Sequence, residues 1–122
     1  MARIGYLGNP NLKSQNVDIQ FDAHKIKELT KCAQDPVYFI RKYVRIVHVD
    51  HGFVPFNLYD YQEDMVRKFV DNRFVIVKLA RQMGKSQTVA AFFLHYVLFN
   101  ENVKVAILAN KESLAKDILS RI

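Results

Sequence analysis

The stretch Phe74 to Thr88, FVIVKLARQMGKSQT, most constrains the fold: an apolar run meets a short loop that ends in Gly84-Lys85-Ser86. The run reads as a buried strand, and the apolar residues recurring after Lys85 read as a helix to Phe99 with Val89, Ala90, Phe93, Leu94, Val97 and Leu98 inward. Strand, loop and helix in this order let backbone N–H groups at a helix N-terminus surround phosphate oxygens, provided no side-chain bulk intervenes. Gly84 supplies that clearance, Lys85 a point charge for the outer phosphates, and Ser86 a hydroxyl for a magnesium shell. The usual pattern G-x-x-x-x-G-K-[ST] has its first glycine where this chain has Leu79. The anion-binding part runs from Arg81 through Gln82 and Met83 to Ser86, with Gln87 following, so Leu79 reads as the last strand residue. Arg81 places a guanidinium where it would meet charge on a terminal phosphate.

Beyond the helix, Asn100-Glu101-Asn102 reads as a turn, Val103 to Ala109 as a second buried strand, and Asn110 as the cap of a last helix. The expected fold class is therefore α/β: a parallel βαβ unit over residues 73–122, the amino-terminal part of a P-loop ATPase domain. A small helical and hairpin subdomain over 22–72 precedes it, and an extended arm covers 1–21. In that subdomain Asp22 is placed to cap a helix carrying Ile26, Leu29 and Ala33. Asp35-Pro36 starts another with Val37, Ile40, Tyr43 and Val44 inward and Arg41, Lys42 and Arg45 outward. RIVHVDHGFVPF alternates around Asp50-His51-Gly52 and predicts two short strands. Asp60 and Glu63 have capping-box spacing before a helix striped by Met65, Val66, Phe69 and Val70.

Composition narrows the classes. A chain of 122 residues with 50% hydrophobic content supports a packed core. No run approaches the roughly 20 apolar residues of a membrane span, and the start lacks the core of a secretory signal peptide, so the cytoplasm is the expected compartment. Cys32 is the single cysteine, which excludes an internal disulfide. The net charge of +6 favours phosphate-rich partners without identifying one.

Tyr61 and Gln62 precede the loop on a helix leading into the first strand. A carboxamide offers a donor and an acceptor, as the adenine edge requires, and base recognition competes with the ordinary reading of a solvated glutamine in a first helical turn. Arg41, Lys42 and Arg45 beside Tyr38, Phe39 and Tyr43 read either as a nucleic-acid surface or as a solvated face over an aromatic core. His48, Asp50 and His51 have metal-ligand chemistry but read better as polar residues of a hairpin turn. His95 and Cys32 read as structural.

Leu-Ala-Arg-Gln-Met-Gly-Lys-Ser resembles the deviant phosphate loop of the large terminase subunits of tailed bacteriophages, in which an arginine sits inside the loop. GNPNLK at Gly8 to Lys13, KCAQDPVYFIRKYVRIVHVDHG at Lys31 to Gly52 and YDYQEDM at Tyr59 to Met65 are similar to the amino-terminal half of the myovirus terminase ATPase. The resemblance implies a motor that uses ATP and Mg2+ to drive double-stranded DNA through a portal, as an oligomer on the portal protein and with a small terminase subunit. It implies Lys85 and Ser86 on phosphate and magnesium, Arg81 acting in cis as a catalytic group beside Lys85, and Tyr61 and Gln62 at the adenine. Ser86 stands where that family more often has threonine. The family also uses an acidic pair after a later strand, and none of Glu101, Glu112 or Asp117 directly follows a buried strand. The chain is accordingly expected to be the first part of such a motor and inactive alone. A helicase-like nucleic-acid ATPase and a non-catalytic nucleotide- or partner-binding fragment are the competing readings.

Overall fold

A computed structural model describes residues 21–48 and 50–121. Residues 1–20 of the arm expected over 1–21, and with them the GNPNLK segment, lie outside the described residues. The elements follow in the order α1 (Ala23–Gln34), α2 (Pro36–Tyr43), β1 (Arg45–His48), β2 (Gly52–Pro55), α3 (Asp60–Asp71), α4 (Lys85–Phe99) and α5 (Glu112–Leu119).

Local chemistry sets most of the boundaries. The Asp35 carboxylate accepts the N–H groups of Val37 at 2.9 Å and Tyr38 at 3.1 Å, and Pro36 occupies the first helical position, so α2 starts where its sequence says it should. β1 and β2 pair antiparallel with Ile46 opposite Val54 and His48 opposite Gly52. The Phe56 N–H then reaches the Val44 carbonyl at 3.0 Å, and Phe56 and Leu58 turn into the core. α3 begins one residue earlier than its capping-box spacing suggests. Tyr59 is its N-cap, Asp60 its first residue, and the side chain reaching back to the Tyr59 N–H is that of Gln62, at 3.1 Å. Glu63 instead accepts from Arg41 at 2.7 Å and Arg67 at 2.6 Å. α5 starts one residue later than expected, since its N-cap is Lys111 and not Asn110.

One core joins both halves of the chain. Cys32, Val37, Phe39, Ile40, Val44, Phe56, Leu58, Val66 and Ala91 form a single buried cluster, with Ile40 and Val66 wholly excluded from solvent. α4 lies against α2 and α3 through Thr88, Ala90, Ala91 and His95. The His95 Nε2 meets the Cys32 carbonyl at 2.8 Å, and since a carbonyl only accepts, Nε2 carries the proton. The inward face of α4 is therefore its small-residue face. Val97 and Leu98, read as inward, are exposed, and so are Ile26 and Leu29 of α1, Tyr43 of α2 and Val70 of α3. In α1 the buried residue is Cys32, which lies on the side that meets α2.

The parallel βαβ unit is not present among the described residues, where the one sheet is the antiparallel pair of β1 and β2. Residues 74–79 and 103–109 carry no strand. The first run keeps a period of two, with Val75, Val77 and Leu79 half-buried and Phe74, Ile76 and Lys78 exposed. Parallel strands are stable when covered on both faces, and two strands alone are marginal. Here Ile76 is 98% exposed and Leu108 95%, so no second layer covers these runs.

Glu28 ties α1 to α2. Its Oε1 accepts from Lys42 Nζ at 2.6 Å and from the hydroxyls of Tyr38 and Tyr43, each at 2.9 Å. Donation by Lys42 and Tyr43, with a smaller part from Tyr38, holds the Glu28 carboxyl at about 2 against its ordinary 4.5. A carboxyl depressed by folding contributes stability that is complete above its unfolded pKa and is lost as pH falls toward the folded value. Glu28→Gln should therefore lower the melting temperature at pH 7, and the gap to wild type should close between pH 4.5 and 2. Circular-dichroism melts across that range check it; a gap independent of pH would mean that packing, not charge, links these helices.

Candidate phosphate-binding loop

The loop between Leu79 and α4 is shaped by two left-handed residues, Gln82 with φ 62° and Gly84 with φ 68°. Leu79 is not among the residues of positive φ. That is why a leucine fits where a glycine is usual: the sharp turn falls later, on Gln82. Gly84 is the N-cap of α4, and no side chain caps the helix. Its first-turn N–H groups have no intrahelical partner, and such groups carry the positive end of the helix dipole. The first turn is anchored from below, because the N–H of Thr88 at 2.9 Å and its Oγ1 at 3.0 Å both donate to the Gly84 carbonyl, and Thr88 is fully buried.

Around this turn lies a cleft of about 500 Å³, lined by residues 81–87 and Arg121. All seven loop residues named from the sequence, Arg81, Gln82, Met83, Gly84, Lys85, Ser86 and Gln87, therefore share one cavity. Arg81 and Ser86 are exposed; Met83, Lys85 and Gln87 are half-buried. The Lys85 ammonium donates to the carbonyls of Leu79 at 2.9 Å and Ala80 at 2.6 Å, which closes the loop on itself. Arg121 went unnoticed in the sequence. It forms an ordinary i,i+4 pair with Asp117 at 2.7 Å, and nothing in that spacing marks it as reaching a loop so distant along the chain.

Tyr61 and Gln62 do not line this cleft. Gln62 is 3% exposed and its carboxamide is engaged at both ends: Oε1 accepts the Tyr59 N–H, and Nε2 donates to the Met83 carbonyl at 3.3 Å. The Tyr61 hydroxyl donates to the same carbonyl at 3.2 Å. The sequence reading puts these residues at an adenine; in the structure both meet the loop backbone at Met83. The basic face of α2 is also largely neutralised, since Arg41 pairs with Glu63 and Lys42 with Glu28. Tyr38 and Tyr43 give their hydroxyls to Glu28, and Phe39 is buried, which favours the reading of a solvated face over an aromatic core. His48 and His51 stack at 4.9 Å in the hairpin turn, and no cluster of three metal-ligating side chains occurs among the described residues.

No protein-family model matches this chain.

Gly84 should tolerate no side chain. A Cβ there would stand 2.6 Å from Gln62 Nε2, and the left-handed backbone adds about 1–2 kcal/mol for an L-residue. Gly84→Ala should lower the urea midpoint accordingly, by more than the backbone term alone because Gln62 must move. A midpoint equal to wild type would show that the loop adopts another shape without cost.

Proposed function

We propose that the chain is the ATP-binding part of a DNA-packaging motor of the tailed-phage terminase kind, which moves double-stranded DNA through a portal at the expense of ATP. The observation that carries this reading is the uncapped N-terminus of α4, with Gly84 left-handed and Arg81, Lys85, Ser86 and Arg121 around one cleft. Backbone donors, three cations and an absence of side-chain bulk at Gly84 suit a polyphosphate better than any uncharged ligand. Lys85 has three protons and two carbonyl partners, so one N–H is left to meet a phosphate oxygen. Mg2+ supplies charge neutralisation on the phosphates, and the exposed Ser86 hydroxyl is the protein oxygen that would hold it; magnesium takes few protein ligands when phosphates supply the rest. Arg81, at the exposed rim, is placed to meet charge that grows on a terminal phosphate during hydrolysis. ATP as the nucleotide, assembly on a portal, a small terminase partner, the P-loop type of α/β domain and the host cytoplasm follow from the sequence resemblance. No described helix is long and apolar enough to cross a membrane.

Two substitutions test the reading. Lys85→Ala should abolish binding of a fluorescent ATP analogue in the presence of magnesium, because phosphate charge is then left without its cation; equal affinity in both proteins refutes the site. Arg81→Ala should reduce turnover, assayed with the remainder of the motor supplied in trans, by a larger factor than it weakens ATP binding. Unchanged turnover would make Arg81 a loop-shaping residue.

A further inference from the structure

The first turn of α4 is fastened by a side chain from the second. Thr88 is wholly excluded from solvent, and its Oγ1 donates to the Gly84 carbonyl at 3.0 Å, beside its own N–H at 2.9 Å. Among the described residues this is the hydroxyl's one hydrogen bond. Packing alone does not call for it. Thr88 belongs to the buried strip of α4 with Ala90, Ala91 and His95, where a valine would fill the same space without a polar atom to satisfy.

The bond falls on a peptide whose other side faces the cleft. The Gly84 carbonyl and the Lys85 N–H belong to one planar unit and point in opposite directions. With the carbonyl directed down the helix to Thr88, the Lys85 N–H is directed out of the helix N-terminus, toward the cleft that residues 81–87 line. An N–H at this position has no intrahelical acceptor. The peptide follows a glycine, the residue with the widest backbone freedom, so it is the one in the first turn most able to rotate. Two donors on a single carbonyl oppose that rotation. They also draw electron density toward the oxygen, and the N–H of the same unit becomes a stronger donor, because linked hydrogen bonds polarise one another.

We propose that Thr88 is a positioning residue of the phosphate loop. From beneath the first turn it sets the plane and the polarity of the Gly84–Lys85 peptide, and so the strength with which the Lys85 N–H holds a phosphate oxygen. Its effect falls on the phosphates and is the same whatever base the nucleotide carries. This inference rests on the reading of the loop as a nucleotide site.

Two measurements test it. One is the carbonyl-carbon NMR resonance of Gly84 in the free protein, which lies further downfield the more hydrogen bonds the oxygen accepts. Thr88→Val should move it upfield, and Thr88→Ser, which keeps the hydroxyl, should leave it near the wild-type position. The other is displacement of a fluorescent ATP analogue by ATP and by inorganic tripolyphosphate, each with magnesium. Thr88→Val should weaken both competitors about threefold, as when a charge-assisted bond loses part of its strength, and Thr88→Ser should bind as wild type does. An unmoved resonance, or unchanged affinities with only a lower melting temperature, would overturn the proposal in favour of a purely structural hydroxyl. Equal weakening in Thr88→Ser would assign the effect to the lost methyl group and overturn it as well. Should Thr88→Val not fold, Thr88→Ala compared with Thr88→Ser removes the same hydroxyl and decides between the same outcomes. Wild type that binds neither competitor, with the resonance behaving as expected, would overturn the nucleotide reading and the phosphate role of Thr88 with it, so the two failures are told apart.

Discussion

Everything at the loop depends on α4 being fixed along its middle. Thr88, Ala90, Ala91 and His95 form a buried strip of mostly small side chains, which lets the helix axis approach α2 and α3 closely. The bond from His95 to the Cys32 carbonyl adds a directional restraint that apolar packing lacks, since it satisfies a buried ring nitrogen at one geometry only. With rotation and translation of α4 set in this way, the position of its first turn is set too. A helix terminus can hold backbone donors at a chosen point only when the rest of the helix cannot slide.

The second restraint comes from α3. Met65 and Val66 anchor that helix in the core, and its first turn carries Tyr61 and Gln62 to Met83. The loop therefore sits between two helices that share one hydrophobic cluster. Its left-handed residues need that support: a strained backbone persists only where its surroundings determine it. Gln82, which is not a glycine, is the clearest case.

Much of this was legible in the sequence where local chemistry decides. Asp35-Pro36 announced α2, the alternation around Asp50 announced the hairpin, and Gly84-Lys85-Ser86 announced the turn into α4. What escaped was decided by distant partners. Val97 and Leu98 fit an apolar stripe as well as Ala90 does, and only the packing of α2 and α3 against α4 exposes the first two and buries Ala91 and His95 beside the third. Gln62 was placed beside the loop by its position on the helix, but the carbonyl it would meet cannot be read from spacing. The two expected parallel strands are not shown among the described residues, for a related reason: a strand is defined by its neighbour, and composition alone does not supply one. Arg121 illustrates the limit most simply, because a surface ion pair just past the end of a helix carries no sign of what lies across a cleft.

The closure of Lys85 onto the Leu79 and Ala80 carbonyls fastens the loop with its own lysine. Lys85 is the first residue of α4, so the two bonds run from the helix back to the chain that leads into the loop. They leave only the few residues between Ala80 and Gly84 to bridge the gap. What fixes α4 in the core is thereby passed on to Leu79, whose own segment carries no strand to hold it.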